Sequence, residues 1–262
     1  MTKRAWKTRP APILETMSTS TAGHCQILGE DAELAEAIPP AERADAIAAC
    51  EAPTMRIARG RWTVPSSAML DGGIGLLILE GLLVRRVGID GRFGSELLGD
   101  GDLLRPWQGE DAAPTLSRTT GWRALTTVRV ALLDADAART MAPYPQLTGR
   151  LVARALERSR NLAVNMAIIQ QARVSTRLHM LLWHLADRWG RVRFDGVALP
   201  LALTHTMLAE LVAARRPTVT TALTELARDG RILPASPGWL LSGEPPGELL
   251  ELQSVADHPP GG

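Results

Sequence analysis

One stretch, residues 203–232, constrains the fold of this chain more than any other. It reads LTHTMLAELVAARRPTVTTALTELARDGRI. Its apolar positions recur at the spacing of two short amphipathic helices, 204–213 and 216–229, separated by a tight turn. Two helices that cross steeply need apolar residues at fixed offsets, and the stretch therefore predicts a helix-turn-helix. The apolar residues that meet this need are Leu208, Leu211, Val219, Leu223 and Leu226.

Three further residues support these helix limits. Thr204 is a suitable N-cap for the first helix, because its hydroxyl can accept from a first-turn amide. Pro217 falls in the first turn of the second helix, where its missing N–H costs nothing. Ala209 is small where the two helices approach each other. Local and longer-range signals thus predict the same pair of helices.

The exposed face of the second helix carries threonines, and two arginines stand at its start. Hydroxyl and methyl groups can meet phosphates, base edges and thymine methyls in the major groove. Guanidinium groups at a helix start reach the DNA backbone and bases. A histidine near the start of the first helix suits a phosphate contact, although a solvated histidine is equally consistent. We therefore predict that double-stranded DNA is contacted by Thr204, His205, Arg215, Arg216, Thr218, Thr220, Thr221 and Thr224.

The residues around this pair predict a winged helix-turn-helix over 174–243. An amphipathic helix precedes the pair at 178–189. A hairpin that turns at Asp195-Gly196 follows that helix, because Asp-Gly suits the positive φ of a tight turn. A second hairpin is predicted from 231–233 and 239–241. The order helix, hairpin, two helices, hairpin is that of a winged helix.

Residues 146–173 predict a long helix with one narrow apolar seam. The spacing of the seam alternates between three and four residues, the pattern by which two helices pair. Packing of the seam on its own domain is the alternative interpretation. The number of turns favours self-association, so we predict a homodimer paired through Val152, Ala155, Ser159, Leu162, Met166 and Ile169.

Residues 27–145 predict an antiparallel β-roll. Two short helices are expected first, at 31–37 and 40–50. Short strands follow, including 122–125 and 129–133, and turn signals recur every 8–12 residues or so, which favours a roll or barrel. The chain is therefore expected to be α+β, with an N-terminal antiparallel β-roll, a long dimerisation helix and a C-terminal winged helix-turn-helix.

The apolar runs of the predicted roll are broken at Glu80-Gly81, Asp90-Gly91 and Gly99–Gly101. Aspartate-glycine pairs between such runs are hairpin signals. Asp100 and Asp102 are of the residue type that binds metal ions. No further acidic residue stands at the spacing of a metal-binding loop, so we assign them to a turn and predict no metal site.

Charge is distributed unevenly along the chain, although the formal net charge is only +1. Residues 27–145 hold 12 arginines against 17 acidic residues. Residues 146–173 hold 5 arginines and 1 acidic residue, and residues 174–243 hold 8 arginines and 5 acidic residues. A basic second half suits a polyanionic partner such as DNA.

Composition excludes several other classes of protein. No apolar run approaches the roughly 20 residues that cross a bilayer, and residues 1–26, a loose tail, lack the apolar stretch of a signal peptide. Two cysteines, Cys25 and Cys50, cannot supply a four-thiolate zinc or iron–sulfur site. We expect a cytoplasmic protein with no membrane partner and no bound cofactor. Residues 244–262, acidic and rich in Pro and Gly, predict a disordered tail.

Over the predicted helix-turn-helix, the sequence resembles the cyclic-AMP-receptor/Fnr (Crp/Fnr) superfamily of bacterial regulators. The family pattern L-T-x-x-x-L-A-x-L-V-G-x-x-R-x-T-V-x-x-x-L-x-x-L-x-x-x-G-x-I is followed almost throughout 203–232, and VSTRLHMLLWHLADRWG resembles the first helix of the family's DNA-binding domain. The resemblance extends, with fewer matching positions, over 27–173. It implies a transcription regulator with a sensor like a cyclic-nucleotide-binding domain, and it makes RNA polymerase a candidate partner.

Two departures in the helix-turn-helix concern the turn and the base-reading positions. Ala213 stands where the family usually has glycine, and an L-residue at positive φ there costs about 1 kcal/mol. Pro217 and Thr221 replace a frequent glutamate and a frequent arginine. The target sequence of the cyclic-AMP receptor is therefore not carried over to this chain.

The sensor region departs further from the family. Gly109-Glu110 and Arg118 are present, but without the arrangement by which the family's phosphate cassette grips a cyclic phosphate. We therefore expect an effector other than a cyclic nucleotide. If a small molecule binds the roll, its pocket is expected near Leu79, Trp107 and Trp122, although burial in the core is the alternative interpretation of the tryptophans.

Two other functions are considered beside DNA-binding regulation. The chain has no nucleophile elbow, P-loop, Rossmann glycine fingerprint or H-E-x-x-H motif, so we predict that it is not an enzyme. His179 and His184 flank the apolar stripe of a helix and suit structural histidines better than metal ligands. A winged helix can also serve as a protein-interaction module without DNA. The arginine pair and the threonine face favour DNA.

Overall fold

The computed structural model describes residues 20–64, 72–107 and 118–247. The helices in these ranges are α1 (Ile27–Glu30), α2 (Ala32–Glu36), α3 (Pro40–Ala49), α4 (Ala135–Met141), α5 (Pro145–Ile169), α6 (Val174–Trp189), α7 (His205–Leu211) and α8 (Arg216–Arg228). The strands are β1 (Ser20–Gln26), β2 (Glu51–Ile57), β3 (Gly60–Trp62), β4 (Gly75–Glu80), β5 (Leu83–Ile89), β6 (Arg92–Leu98), β7 (Leu103–Leu104), β8 (Thr119–Ala124), β9 (Val128–Leu133), β10 (Arg191–Arg193), β11 (Gly196–Leu199), β12 (Ile232–Pro234) and β13 (Trp239–Leu241).

Two antiparallel sheets form the roll, in the orders β1-β2-β9-β4-β7 and β3-β8-β5-β6. Side chains alternate across a strand, and on β4 Leu76 and Ile78 enter the core between the sheets while Leu77 packs toward the helices. The predicted α+β class, with an antiparallel roll, a long helix and a winged helix-turn-helix, is confirmed.

Both hairpins predicted in the winged domain are present, whereas only one of the three turns predicted as hairpins in the roll joins two paired strands. Asp90-Gly91 joins the paired strands β5 and β6, with φ of 49° and 72° at the two residues. Both values suit the tight turn that pairs adjacent strands. The turn at Glu80-Gly81 instead leads from β4 in one sheet to β5 in the other, and the turn at 99–101 leads back to β7. A two-sheet roll must change sheets at some turns, and a glycine signal does not show which ones.

Two predicted limits are wrong. Residues 20–26 form strand β1 rather than part of a loose tail, because β2 offers an antiparallel partner, with Cys25 opposite Ala52. The long helix ends at Ile169 rather than Arg173, and the next residues connect it to α6. Residues 1–19 and 248–262 lie outside the described residues, so the remaining tail predictions stay predictions.

One face of α5 is attached to the roll. Leu147 and Leu151 are buried in the core that the sheet shares with the short helices. Farther along, Arg154 donates to both carboxylate oxygens of Asp31, at 2.6 and 2.8 Å. Arg158 does the same with Glu96 on β6, at 2.5 and 2.9 Å. Bidentate pairs of this kind hold both partners in a defined orientation, so they fix how the helix lies against the roll.

The C-terminal unit consists of α6, α7 and α8 with the sheet β10-β11-β13-β12. Its core also includes Val84 and Leu97 of the roll, so the two units pack directly on each other. Glu210 of α7 forms an ion pair with Arg86 at 2.8 Å and accepts a hydrogen bond from Ser95 at 2.9 Å. These contacts position the helix-turn-helix against the β5–β6 hairpin.

Candidate nucleic-acid interface

The two helices predicted as a helix-turn-helix are present and share one core. Helix α7 buries Leu208 and Leu211, and α8 buries Val219, Leu223 and Leu226. Thr204 is the N-cap of α7, since its hydroxyl accepts from the Met207 amide at 3.3 Å. Pro217 lies in the first turn of α8, as predicted. Apolar spacing and cap residues therefore located both helices correctly.

The turn between the helices has the strained geometry that its sequence predicted. Ala213 has φ of 51°, in the left-handed region that an L-residue adopts only at a cost. The amide of Ala214 donates to the carbonyl of Ala209 at 2.8 Å, which closes the end of α7. Arg177 of α6 donates to the carbonyls of Val212 and Ala213, at 3.2 and 3.4 Å. Sequence reasoning missed this role of Arg177, because nothing local marks a contact across 35 residues of chain.

The start of α8 is open to an anion. Its N-cap is Arg215, and no side chain accepts a hydrogen bond from the first-turn amides there. Free first-turn amides and the helix dipole favour a negatively charged group such as a phosphate. The side chains of Arg215 and Arg216 are exposed at the same end. Positive charge and free amide donors thus coincide at the start of the predicted recognition helix.

The threonines of α8 share one exposed face. Three of their hydroxyls donate to the carbonyl four residues earlier, from Thr220, Thr221 and Thr224, at 3.1, 3.3 and 3.0 Å. Thr218 is exposed beside them. Each of these three donors is used inside the helix, so the hydroxyl oxygens of Thr221 and Thr224 remain available to accept, and the methyl groups can contact thymine methyls. The face is chemically suited to base edges.

His205 links the two helices of the motif. Its Nδ1 lies 2.9 Å from the hydroxyl oxygen of Thr220, and that hydroxyl already donates to the Arg216 carbonyl. The imidazole Nδ1–H is therefore the donor in this bond. Nε2 is left for a second partner. The predicted phosphate contact through His205 stays a prediction, and the observed bond shows that the residue positions α7 on α8.

Four of the six predicted seam residues on α5 are exposed. Val152 and Met166 have 53% and 66% of their surface exposed, and Ala155 and Ser159 are also exposed. The remaining two seam residues, Leu162 and Ile169, are half-buried. Leu156, which the sequence analysis left out, is 59% exposed and widens the same face. A long helix with an exposed apolar face is typical of a surface that pairs with another helix.

The structure does not bring the three predicted effector-pocket residues together. Trp122 is buried between the two sheets in edge-to-face contact with Trp62, and Trp107 packs at the same core. Leu79 packs on the opposite face of β4, in the other core. The tryptophans are core residues, the alternative interpretation given above. Of the phosphate-cassette residues, Gly109-Glu110 lie outside the described residues.

The acidic turn and the histidines have structural partners. Asp102 accepts from the Gly99 amide at 2.8 Å and from Arg188 at 2.9 Å, as the predicted turn requires. Nε2 of the buried His179 accepts from the indole of Trp183 at 3.1 Å. Within the described ranges, no three His, Cys, Asp or Glu side chains are grouped as metal ligands. In the same part of the chain, no helix is long and apolar enough to cross a membrane.

Comparison with known sequences supports this picture of the domain. The family model described as the Crp-like helix-turn-helix domain matches residues 176–238. The chain is 31% identical over 140 residues to the CRP-like cAMP-activated global transcriptional regulator of Mycobacterium tuberculosis, in two strains. The alignment includes 52% of this chain, which spans only 60% of the length of these curated relatives.

Solved structures share the fold over most of the chain. The cyclic nucleotide-binding domain containing protein from Listeria monocytogenes EGD-e matches with a TM-score of 0.59 and 15% identity, covering 80% of this chain and 96% of that one. The c-di-GMP responsive global regulator CLP from Xanthomonas campestris matches with a TM-score of 0.54 and 16% identity, covering 77% and 98%. At such identities the likeness shows the fold alone. The chain therefore carries a Crp-like helix-turn-helix domain at residues 176–238, and it shares its overall fold with these solved structures.

Proposed function

We propose that this chain is a sequence-specific DNA-binding transcription regulator of the Crp/Fnr type, acting in the cytoplasm. One observation carries the proposal. Helix α8 buries its apolar side against α6 and α7. Its opposite side presents two arginines, first-turn amides without a side-chain cap, and a face of exposed threonines. Phosphate-binding and base-reading chemistry therefore stand together on one exposed helix, as major-groove recognition requires.

The proposed active form is a homodimer paired through the exposed seam of α5. In such a dimer, a twofold axis relates the two α8 helices. They would enter successive major grooves on one side of the DNA, so the site is near-palindromic with half-sites about 10 bp apart. RNA polymerase remains a candidate partner of the DNA-bound dimer.

The test is binding-site selection followed by fluorescence anisotropy at several salt concentrations. Arg216→Ala should weaken binding by about 1–3 kcal/mol per half-site and relax sequence preference if its contact is to a base. If Arg216 contacts only a phosphate, binding should fall uniformly and the salt slope should shrink by about one. Unchanged affinity and preference would mean that α8 is not the recognition helix.

Thr221→Ala is the comparison variant on the same exposed face. It should cost less than about 1.5 kcal/mol, because one neutral hydroxyl makes a weaker contact than a guanidinium group. If the domain is a protein-interaction module instead, neither the wild type nor these variants should show salt-dependent DNA binding. That result would favour the alternative function over the proposed one.

We further propose that the effector is not a cyclic nucleotide, because the sequence lacks the family's phosphate-cassette arrangement. Calorimetry with cyclic AMP and cyclic GMP tests this proposal. Saturable binding of either nucleotide at micromolar concentration would contradict it. Neither result would affect the assignment of α8 to DNA.

A further inference from the structure

A cavity of about 400 Å³ lies where the roll, the long helix and the Crp-like domain meet. Its walls come from the β6–β7 turn, from α5 around Asn161 and Asn165, and from α6 around His184 and Arg188. The volume falls within the range of small-molecule sites. None of the three residues predicted as the effector pocket lines it. The charges and apolar groups of its wall determine which ligand it suits.

Charge in the cavity wall is unbalanced. Six carboxylates line it against three guanidinium groups. Each guanidinium already has a carboxylate partner from the wall: Arg154 with Glu33, Arg158 with Glu96 and Arg188 with Asp102. The other three wall carboxylates form no ion pair with any described residue: Asp100, Glu157 and Asp187. An anionic ligand would thus meet no unpaired guanidinium group in this wall, whereas a cation would meet three exposed carboxylates that are in no ion pair, of which Asp100 lies near Arg188.

Two further polar groups line the cavity, one on α5 and one on α6. The side-chain oxygen of Asn165 is buried and has no hydrogen-bond partner among the described residues. Such an orphan acceptor is costly until a donor reaches it. Partial burial raises the pKa of Asp187, and the nearby His184 only partly opposes this. Burial lowers the pKa of His184 and thereby disfavours its charged form.

The rest of the wall is apolar. Leu162, Leu181, Leu185 and Trp189 line it. A ligand with a short alkyl chain would cover these groups, while a charged nitrogen at its end would pair with the Asp187 carboxylate and, once the Asn165 side chain turns toward the cavity, with its oxygen. We propose that the cavity is an effector site for a small organic cation, an alkyl ammonium or alkyl guanidinium compound. The proposal rests on the proposed function only in calling the ligand an effector.

The position of the cavity explains how such a ligand would act. Its wall joins the roll, through the turn at 99–102, to the first helix of the Crp-like domain and to Leu211 of α7. Leu162 belongs both to this wall and to the predicted seam. A ligand held here contacts the roll, α5, α6 and α7 together, so its binding changes how the Crp-like domain is held and thereby DNA affinity.

The test is calorimetry on the full chain with probes of matched length: agmatine and putrescine as cations, 1,4-butanediol as a neutral control and succinate as an anion. Saturable binding of a cation, and of neither control, is expected. Asp187→Asn should weaken that binding about three- to tenfold, because it removes a rim charge. Asn165→Leu should also weaken it, while Asp45→Asn, an exposed carboxyl remote from the cavity, should leave it unchanged.

Binding of succinate or butanediol as strong as that of the amines would overturn the proposal. So would absence of cation binding up to millimolar concentration, or equal affinity in all the variants. DNA binding measured without any probe tests the proposed function separately. DNA bound without amine binding refutes the cation site alone, and amine binding without DNA binding refutes the regulator alone.

Discussion

Replacing Ala213 with glycine should stabilise the protein, although it removes a methyl group. The residue has φ of 51°, and a left-handed conformation costs an L-residue about 1–2 kcal/mol. Its side chain is exposed, so the change deletes no core packing. Glycine gives the unfolded chain extra freedom worth about 0.4–1 kcal/mol, which offsets part of the gain. The expected net increase in the free energy of unfolding is about 0.5–1 kcal/mol.

Urea unfolding, followed by tryptophan fluorescence and circular dichroism, measures the change in the free energy of unfolding. The dependence of this free energy on urea concentration should be the same in the wild type and the variant. Ala202→Gly is the matched control, an exposed loop alanine whose φ is not positive. It should lose about 0.4–1 kcal/mol, because only the unfolded-state effect remains. If Ala213→Gly loses as much stability as Ala202→Gly, the strain argument is refuted.

Three further variants test the assembly and its internal contacts. Met166→Glu should yield monomers in sedimentation and weaken DNA binding at the same time, and a wild-type protein that sediments as a monomer at micromolar concentration would refute the seam. Glu210→Ala should speed amide exchange in the β5–β6 hairpin at a cost of less than about 1 kcal/mol, because its ion pair is partly exposed; Glu225→Ala should not. Burial raises the Asp31 pKa, but hydrogen bonds from Arg154 outweigh it and leave the pKa below its usual range. The stability that this ion pair contributes is therefore fully present above the usual pKa of Asp31 and is lost as the pH falls through its lower pKa in the folded protein. Asp31→Asn should make the free energy of unfolding depend less on pH in the acid range.

The parts of the fold that sequence reasoning located correctly are set by short-range rules. The limits of α7 and α8 follow from apolar spacing and from the residues at their ends, Thr204 and Pro217. The strain at Ala213 followed from one departure from a family pattern. In each case the relevant residues lie within a few turns of one another, so their chemistry is visible in the sequence.

The errors concern long-range partners. Strand β1 exists because β2 pairs with it, and the sequence of β1 lacks a clear period-two pattern. The turns at 80–81 and 99–101 change sheets, which depends on how the two layers close. The effector-pocket residues were chosen by residue type, but Leu79 points to the opposite face of β4 from Trp122. The cavity wall combines residues from about 33 to 211, and no local pattern marks such a set.

The geometry of α5 suggests how the roll would control α8. One face of the helix is fixed to the roll by Arg154 and Arg158, and Ile168 near its end is buried in the core of the Crp-like domain. The helix has 25 residues, so it is about 37 Å long, and a tilt of about 5° displaces one end by about 3 Å relative to the other. A displacement of that size exceeds the tolerance of a hydrogen bond to a base edge. A ligand between the roll and α6 would then act on DNA binding by changing this tilt, without unfolding any element.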